Sequence, residues 1–213
     1  MTKVRRTQEQ RRRDTQDAIL DAVIELLLER GYAAMTAIDV AERAGVSRGA
    51  QAHYFRTKLD LAIASARRAM KVAIEAAESM AEAAKQSDDV IGGFIEQSRR
   101  FFLEPYYIAM IDILLVGRTD LALSKDYSKL IIETRTRLEE IWLSVFHHAG
   151  MSDKGAQMLL TMTHHMMRGM AMSTLWRSEP KEMEAVIEQW TQIAEDIMRK
   201  DLATRAANLQ RKR

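Results

Sequence analysis

The amino-acid sequence predicts an all-α fold, and three observations support that fold class. The 213 residues are rich in helix-favouring Ala, Leu, Met, Glu and Arg, with only nine glycines and two prolines. Apolar residues recur at intervals of three and four along most of the chain, as they do on one face of a helix. Capping residues and glycines divide this pattern into segments. We therefore expect about nine helices, with an N-terminal three-helix domain followed by a C-terminal helical bundle.

Composition limits the environment in which this chain works. It is 47% hydrophobic and 29% charged, which is typical of a globular protein with a substantial core. The absence of cysteine excludes disulfides and thiolate chemistry and fits a reducing cytoplasm. No apolar run approaches ~18 residues, so no membrane contact is expected. The basic N-terminus lacks the apolar stretch of a signal peptide, and we expect a cytoplasmic protein.

Charge is unevenly distributed, although the net charge is only +2. Both ends of the chain are basic and the middle is acidic, so we expect a basic flexible arm over residues 1–9 and a basic tail over residues 201–213. Each end could contact a polyanion or remain a solvated tail. The arginines that could reach phosphates or a minor groove are Arg5, Arg6, Arg11, Arg12 and Arg13.

A first helix is predicted over residues 10–30. Ile19, Val23 and Leu26 share one apolar face of this segment, and acidic side chains occupy the opposite face. Gly31 follows directly and is a natural helix C-cap, because glycine adopts the left-handed backbone conformation at little cost. The first helix is therefore expected to end at this glycine.

Two short helices follow, joined by a tight turn. Thr36 and Asp39 have the spacing of a capping box, which predicts a helix start at Thr36. Gly45 ends this helix, and Ser47 can cap the next one, which runs to about Phe55. Two short helices separated by a glycine-containing turn of about three residues predict a helix-turn-helix.

The rest of the chain predicts six longer helices without an internal repeat. Their expected bounds are 58–85, 88–103, 106–116, 123–148, 153–176 and 181–200. Ser178 is an N-cap candidate for the last of them. Pro180 would lie in its first turn, where the missing N–H costs nothing.

The helix-turn-helix segment resembles the TetR family of bacterial transcriptional regulators. The positions that match the family's pattern are Thr36, Val40, Ala41, Ala44, Gly45, Val46, Ser47, Gly49, Tyr54, Phe55, Thr57, Lys58 and Leu61. The resemblance implies a DNA-binding domain over 10–57 and a ligand-binding and dimerisation domain over 58–200. It implies a repressor that binds a pseudo-palindromic operator in double-stranded DNA as a homodimer and is released by a small effector. Activation in place of repression remains open.

Candidate DNA contacts lie in and around the second short helix. They are Thr36, Ser47, Arg48, Gly49, Ala50, Gln51, Ala52, His53, Tyr54 and Lys58. Free N–H groups at helix starts suit phosphate, and Lys58 and Tyr54 resemble phosphate contacts. Arg48 is suited to guanine O6 and N7, or to an unspecific phosphate contact.

The sequence departs from the family's pattern at two positions of this helix. Gln51 replaces the usual apolar residue, and Ala52 replaces the usual tyrosine. Gln51 could contact adenine through both of its amide atoms, or it could point back at the first helix. His53 is equally suited to packing, to a phosphate and to a base edge. The effect of these changes on operator contacts is open.

The C-terminal half contains helices that are apolar almost all round. Residues 101–116 and 158–176 are expected to be buried on most faces. Methionines concentrate in the second segment and suit an adaptable pocket for an apolar or amphipathic effector, although plain core or dimer interface is the more common role of a single methionine. The candidate ligand contacts are Phe102, Tyr106, Met110, Asp112, Ile113, Trp142, Phe146, Met162 and Met166.

Asp112 is a carboxylate within the most apolar segment, where a charge needs a partner. It could contact the ligand or pair with one of the following arginines: Arg99, Arg100, Arg118 or Arg168. The family resemblance implies that residues 153–176 and 181–200 form a four-helix bundle with a second copy. Gly169 would permit close helix approach, and Trp176 and Trp190 are candidate interface anchors.

Two other classes of function are less consistent with the sequence. The pairs His147-His148 and His164-His165 could suggest a metal site, but neither has a ligand at the i+4 spacing. No nucleophile elbow or phosphate loop is present, so we expect no enzyme, metal or cofactor. A ligand-independent architectural DNA binder would be strongly basic, whereas the middle of this chain is acidic.

Overall fold

The computed structural model describes residues 7–118, 121–176 and 179–210, which form nine α-helices and no strand. The helices are α1 (Gln8–Ala34), α2 (Ala37–Arg43), α3 (Arg48–Tyr54), α4 (Lys58–Lys85), α5 (Val90–Phe102), α6 (Pro105–Gly117), α7 (Leu121–His148), α8 (Asp153–Ser173) and α9 (Pro180–Gln210). The predicted all-α fold is confirmed. None of these helices is long and apolar enough to cross a membrane.

Helix α1 begins earlier than its apolar pattern indicates. Thr7 and Gln10 form a capping box, in which the Thr7 hydroxyl accepts from the Gln10 N–H and the Gln10 side chain accepts from the Thr7 N–H. Residues 8 and 9 are consequently helical, and the predicted arm over 1–9 is too long. Arg11, Arg12 and Arg13 also lie on the helix rather than on an arm. Arg5 and Arg6 lie outside the described residues.

Helix α9 extends to Gln210, ten residues beyond its predicted end, and takes up most of the expected basic tail. Two side chains of the added turns attach it to the start of α8. The Asp201 carboxylate accepts from the Ser152 N–H at 2.7 Å and from its hydroxyl at 2.6 Å. Arg205 donates to the Gly150 carbonyl at 2.9 Å. These contacts join residues about fifty positions apart, so a local charge count does not indicate them. Ser178, the proposed cap, lies outside the described residues.

The described residues divide into two compact units. The first is drawn from Met1–Met70 and Ile108–Ile131, and therefore extends beyond Lys58, where the sequence pattern places a domain boundary. In this unit α1 packs against α2, and α2 packs against α3. Its core contains fully buried aliphatic side chains from three helices, including Ile19, Val23, Val40 and Leu61.

The second unit is drawn from Lys71–Tyr107 and Ile132–Arg213. Here α5 packs against α8 and α9, and α8 packs against α9. The core is aromatic, with Phe94, Trp142 and Phe146 fully buried. The indole N–H of Trp190 donates to the Thr163 hydroxyl at 3.0 Å and links α9 to α8.

Candidate nucleic-acid interface

Three local hydrogen-bond motifs start helices α2, α3 and α4. The Thr36 N–H donates to the Asp39 carboxylate at 3.0 Å, and the Asp39 N–H donates to the Thr36 hydroxyl at 3.2 Å. The Ser47 hydroxyl accepts from the Ala50 N–H at 3.1 Å at the start of α3. Thr57 and Asp60 repeat the reciprocal pattern at the start of α4. Each motif satisfies N–H groups that the first turn of a helix leaves without partners.

The turn between α2 and α3 depends on one glycine. Gly45 has φ +66, a backbone conformation that side chains with a Cβ rarely adopt. This allows the Val46 N–H to donate to the Ala41 carbonyl at 3.0 Å, which closes the end of α2. The predicted helix-turn-helix is present, with α2 and α3 each seven residues long.

Helix α3 has an inner and an outer face. Gln51 is on the inner face, only 4% exposed, and its amide donates to the Phe55 carbonyl at 2.6 Å. The predicted adenine contact requires an exposed amide, so Gln51 in this conformation supports the helix end and does not present a reading group. The predicted DNA contacts exposed on or beside the outer face are Thr36, Ser47, Arg48, Gly49, Ala52 and His53, with Ala50, Tyr54 and Lys58 half-buried.

The acidic residues of α1 are engaged by arginines from neighbouring helices. Arg43 of α2 donates to Glu25 at 3.1 Å and to Glu29 at 2.6 Å, which keeps the pKa of Glu29 below its usual value. The guanidinium of Arg68 on α4 donates to the Asp17 carboxylate at 3.3 Å. In the described part of the chain no carboxylate lies within salt-bridge distance of Arg48. Positive charge therefore remains available on the outer face of α3.

Lys58 is directed toward a break in α1. Its ammonium group donates to the Ala33 carbonyl at 3.0 Å and lies 4.4 Å from the centre of the Tyr32 ring. Burial lowers the pKa of Lys58, and the nearby Asp112 carboxylate opposes that shift. A phosphate contact by Lys58 would require its ammonium group to exchange these partners for DNA.

The Asp112 carboxylate accepts from the backbone N–H of Tyr32 at 2.5 Å. It also lies 3.0 Å from the position that a Cβ on Gly31 would occupy, beside the glycine that breaks α1 at φ +74. The partners of Asp112 among the described residues are thus Tyr32 and Lys58, not the arginines expected from the sequence. Its carboxylate therefore lies between the break in α1 and the start of α4.

The predicted ligand contacts are divided between the two units. Met110, Asp112 and Ile113 belong to the first unit, and the remaining six belong to the second. Phe102, Trp142 and Phe146 are buried in the second unit. Of the other three, Tyr106 and Met166 are half-buried and Met162 is 44% exposed.

A ring cluster surrounds Phe94 in the second unit. The Phe94 ring centre lies 5.2 Å from Trp142, 5.0 Å from Phe146 and 5.8 Å from His164. His164 in turn lies 5.2 Å from the ring centre of Phe102. In the sequence, His164 stands out only as half of the pair His164-His165, and its burial is not indicated. The available signal was the run Phe94, Ser98 and Phe102, which presents one face of α5 at successive turns.

His164 is 5% exposed, and burial lowers its pKa to about 3. The positive charges of Arg168 and Arg135, and the neighbouring His165, contribute to this lowering of the pKa. The imidazole is therefore neutral at neutral pH.

This burial predicts a pH-dependent stability. Below the ordinary histidine pKa the unfolded chain binds a proton that the folded chain does not, so stability is complete above pH ~6.5 and falls toward pH ~3. We expect the free energy of unfolding at pH 5 to be about 2 kcal/mol lower than at pH 7 from His164 alone. Urea unfolding at both pH values measures this. His164→Phe should remove this difference in the free energy of unfolding, whereas His165→Gln, at an exposed position, should keep it. Equal pH dependence in both variants would contradict the role of His164.

Comparison with known proteins agrees with the helix-turn-helix geometry. The family model of bacterial regulatory proteins of the tetR family matches residues 19–64. The HTH-type transcriptional regulator CymR of Pseudomonas putida is 32% identical over 196 residues, covering 92% of this chain and 97% of CymR.

Solved structures show the same fold over most of the chain. A TetR-family transcriptional regulator from Mesorhizobium loti aligns with a TM-score of 0.69 at 17% identity, over 91% of this chain and 98% of that one. A transcriptional regulator from Saccharomonospora viridis in complex with choline aligns with a TM-score of 0.64 at 17% identity, over 86% and 95%. The family match and the full-length similarity to CymR show that the chain belongs to the TetR family of bacterial transcriptional regulators and is a DNA-binding regulator of transcription.

Proposed function

We propose that this protein is a repressor that binds a pseudo-palindromic operator as a homodimer and is released by a small, mainly apolar effector. The observation that carries the proposal is the exposed outer face of α3, where Arg48 has no carboxylate partner among the described residues. Residues 10–57 would bind DNA, and residues 58–200 would bind the effector and a second copy. Such a regulator would act in the cytoplasm, where the chromosome is accessible.

On DNA, the outer face of α3 would enter the major groove. Gly49 and Ala52 are exposed and have little side chain, which allows close approach to the bases. Arg48 would then contact a guanine, while Thr36, Ser47 and Tyr54 would contact phosphates. Because Gln51 is turned inward, base contacts would come from Arg48 and His53.

Arg48→Ala should cost about 1–3 kcal/mol of operator binding and relax specificity at one base pair, because the bidentate contact to guanine is lost. Selection of genomic fragments by the purified protein at two salt concentrations would first identify the operator as an inverted repeat. Binding of the variant to operator and to random DNA would then be measured. Equal losses on both DNAs would show that Arg48 contacts only phosphate, and fragments without a shared sequence would contradict operator recognition.

Lys58→Ala should weaken binding to operator and to random DNA by the same factor, because one phosphate contact is lost. The slope of the logarithm of the binding constant against the logarithm of the salt concentration should become shallower by about one. Titrations at several salt concentrations measure both quantities. The variant also loses the bond to the Ala33 carbonyl, so its unfolding is measured in parallel. A loss confined to operator would contradict the phosphate role.

Dimerisation would use the outer faces of α8 and α9. Met158 and Met162 lie one turn apart on α8 and are 49% and 44% exposed. Val186 and Ile193 lie two turns apart on α9, and each is 42% exposed. Apolar stripes on neighbouring helices suit a four-helix contact with a second copy. Trp190 is buried against Thr163 within one chain, so the exposed Trp176 is the better interface anchor of the two.

The effector would bind in the aromatic second unit. The similar regulator from Saccharomonospora viridis was solved with choline, which supports small-molecule binding by this fold. Here the lining would be mainly apolar, with Phe102, Trp142 and Phe146 as its predicted members. Methionines of α8 could adapt to the shape of a ligand.

A further inference from the structure

Three buried side chains in the second unit each have one polar atom without a hydrogen-bond partner in the described structure. They are the hydroxyl of Ser98 on α5, the indole N–H of Trp142 on α7 and Nδ1 of His164 on α8. Ser98 and Trp142 are fully buried and His164 nearly so. A buried polar atom without a partner costs about 1–3 kcal/mol and is uncommon in folded proteins. Three such atoms in one core indicate that a bound molecule supplies their hydrogen bonds.

These groups belong to one cluster. Phe94, Ser98 and Phe102 lie at successive turns on the same face of α5. The His164 ring contacts both phenylalanines, at 5.8 Å and 5.2 Å between ring centres, and so lies opposite Ser98. Trp142 contacts the Phe94 ring at 5.2 Å from another side. The three incomplete polar groups therefore border the same cluster of aromatic rings.

The three polar groups that border the ring cluster are all uncharged. The indole and the hydroxyl carry no charge, and the buried imidazole is uncharged at neutral pH. The guanidinium of Arg168 lies 5.4 Å from the Phe102 ring centre and hydrogen-bonds Tyr107, and its positive charge helps to keep His164 unprotonated. Burial of a charged ligand group carries a large desolvation cost, and a carboxylate could not donate to the His164 Nδ1. An uncharged hydroxyl can both donate to that nitrogen and accept from the Ser98 hydroxyl or the Trp142 N–H.

We propose that Ser98, Trp142 and His164 form the polar end of the effector site, and that this site takes an uncharged aromatic molecule carrying a hydroxyl group. The inference rests on the proposed effector function. A ligand hydroxyl donates to His164 Nδ1 and accepts from the Ser98 hydroxyl or the Trp142 N–H. The rings of Phe94, Phe102 and Phe146 pack against the flat body of the ligand.

Binding of simple probes to the full chain tests the ligand class. Phenol and benzyl alcohol carry the hydroxyl, toluene lacks it and benzoate is charged. We expect calorimetry and thermal unfolding to show binding of the hydroxyl compounds about tenfold tighter than that of toluene or benzoate, as one hydrogen bond of about 1.4 kcal/mol provides. Tightest binding by benzoate would overturn the uncharged class. No binding by any probe would mean that water alone occupies these groups, and would overturn the site.

Variants test the residues themselves. Ser98→Ala and His164→Phe each remove an incomplete polar atom, so neither should lower the stability of the unliganded protein. Each should weaken phenol binding about tenfold and leave toluene binding unchanged. Unchanged phenol binding in both variants would overturn the assignment. Phenol binding that fails to release operator DNA would leave the ligand site standing and contradict the proposed release, so the two ideas can fail separately.

Discussion

Phe94→Ala should lower the free energy of unfolding by about 3–5 kcal/mol, because it removes a ring from the centre of the second unit and leaves a cavity. The Phe94 side chain is fully buried. Its ring meets Trp142 and Phe146 at 5.2 Å and 5.0 Å, with the Phe146 ring edge-on. The rings of Trp142, Phe146 and His164 all pack against Phe94, and they cannot all move into the space that its ring leaves. The expected effect is a large part of the stability of a typical domain.

Equilibrium unfolding in urea measures this loss. Phe101 provides a matched control, since it lies on the same helix and contacts the Phe102 ring at 4.9 Å but is only half-buried. Phe101→Ala should cost about 1 kcal/mol, in proportion to the smaller area that it buries. If both variants lost the same stability, the second unit would not be organised around Phe94. DNA binding by the folded variant at low temperature would show that the first unit is retained.

The start of each short helix could be predicted because its signals are local. Thr36, Asp39 and Ser47 lie within three residues of the N–H groups that they bond, so spacing alone indicates the caps. Gly45 is similar, since a turn of this kind requires a positive φ wherever the chain is placed. The helix-turn-helix was therefore accessible from a short stretch of sequence.

Other features depend on residues that are distant in the chain. The inward orientation of Gln51 depends on which face of α3 packs against the unit, and Asp112 contacts a backbone N–H eighty positions away. The burial of His164 results from rings on α5 and α7, so its own neighbours in sequence give little sign of it. Tertiary packing decides such features, and a pattern within one helix does not contain them.

Asp112→Ala should lower the free energy of unfolding by about 3 kcal/mol, because it removes the carboxylate that accepts from the Tyr32 N–H and the negative charge near Lys58. Asp112→Asn keeps an amide oxygen that can accept from Tyr32 and loses only the charge. It should therefore cost about half as much. Asp88 is exposed in the turn before α5, and Asp88→Ala is the control, expected to change stability by less than about 0.5 kcal/mol.

The two Asp112 variants also separate a structural role from a ligand contact. If the carboxylate holds α6 to the break in α1, Asp112→Ala should lose more stability than Asp112→Asn. DNA binding should then change in both variants, because Lys58 begins α4, the helix that follows α3. If Asp112 instead contacts the effector, Asp112→Asn keeps its stability and alters only the response to ligand. The bond to Tyr32 at 2.5 Å favours the structural role. The contact joins Asp112 on α6 to Tyr32 on α1 within the first unit, so we expect Asp112→Ala to loosen α6 from α1.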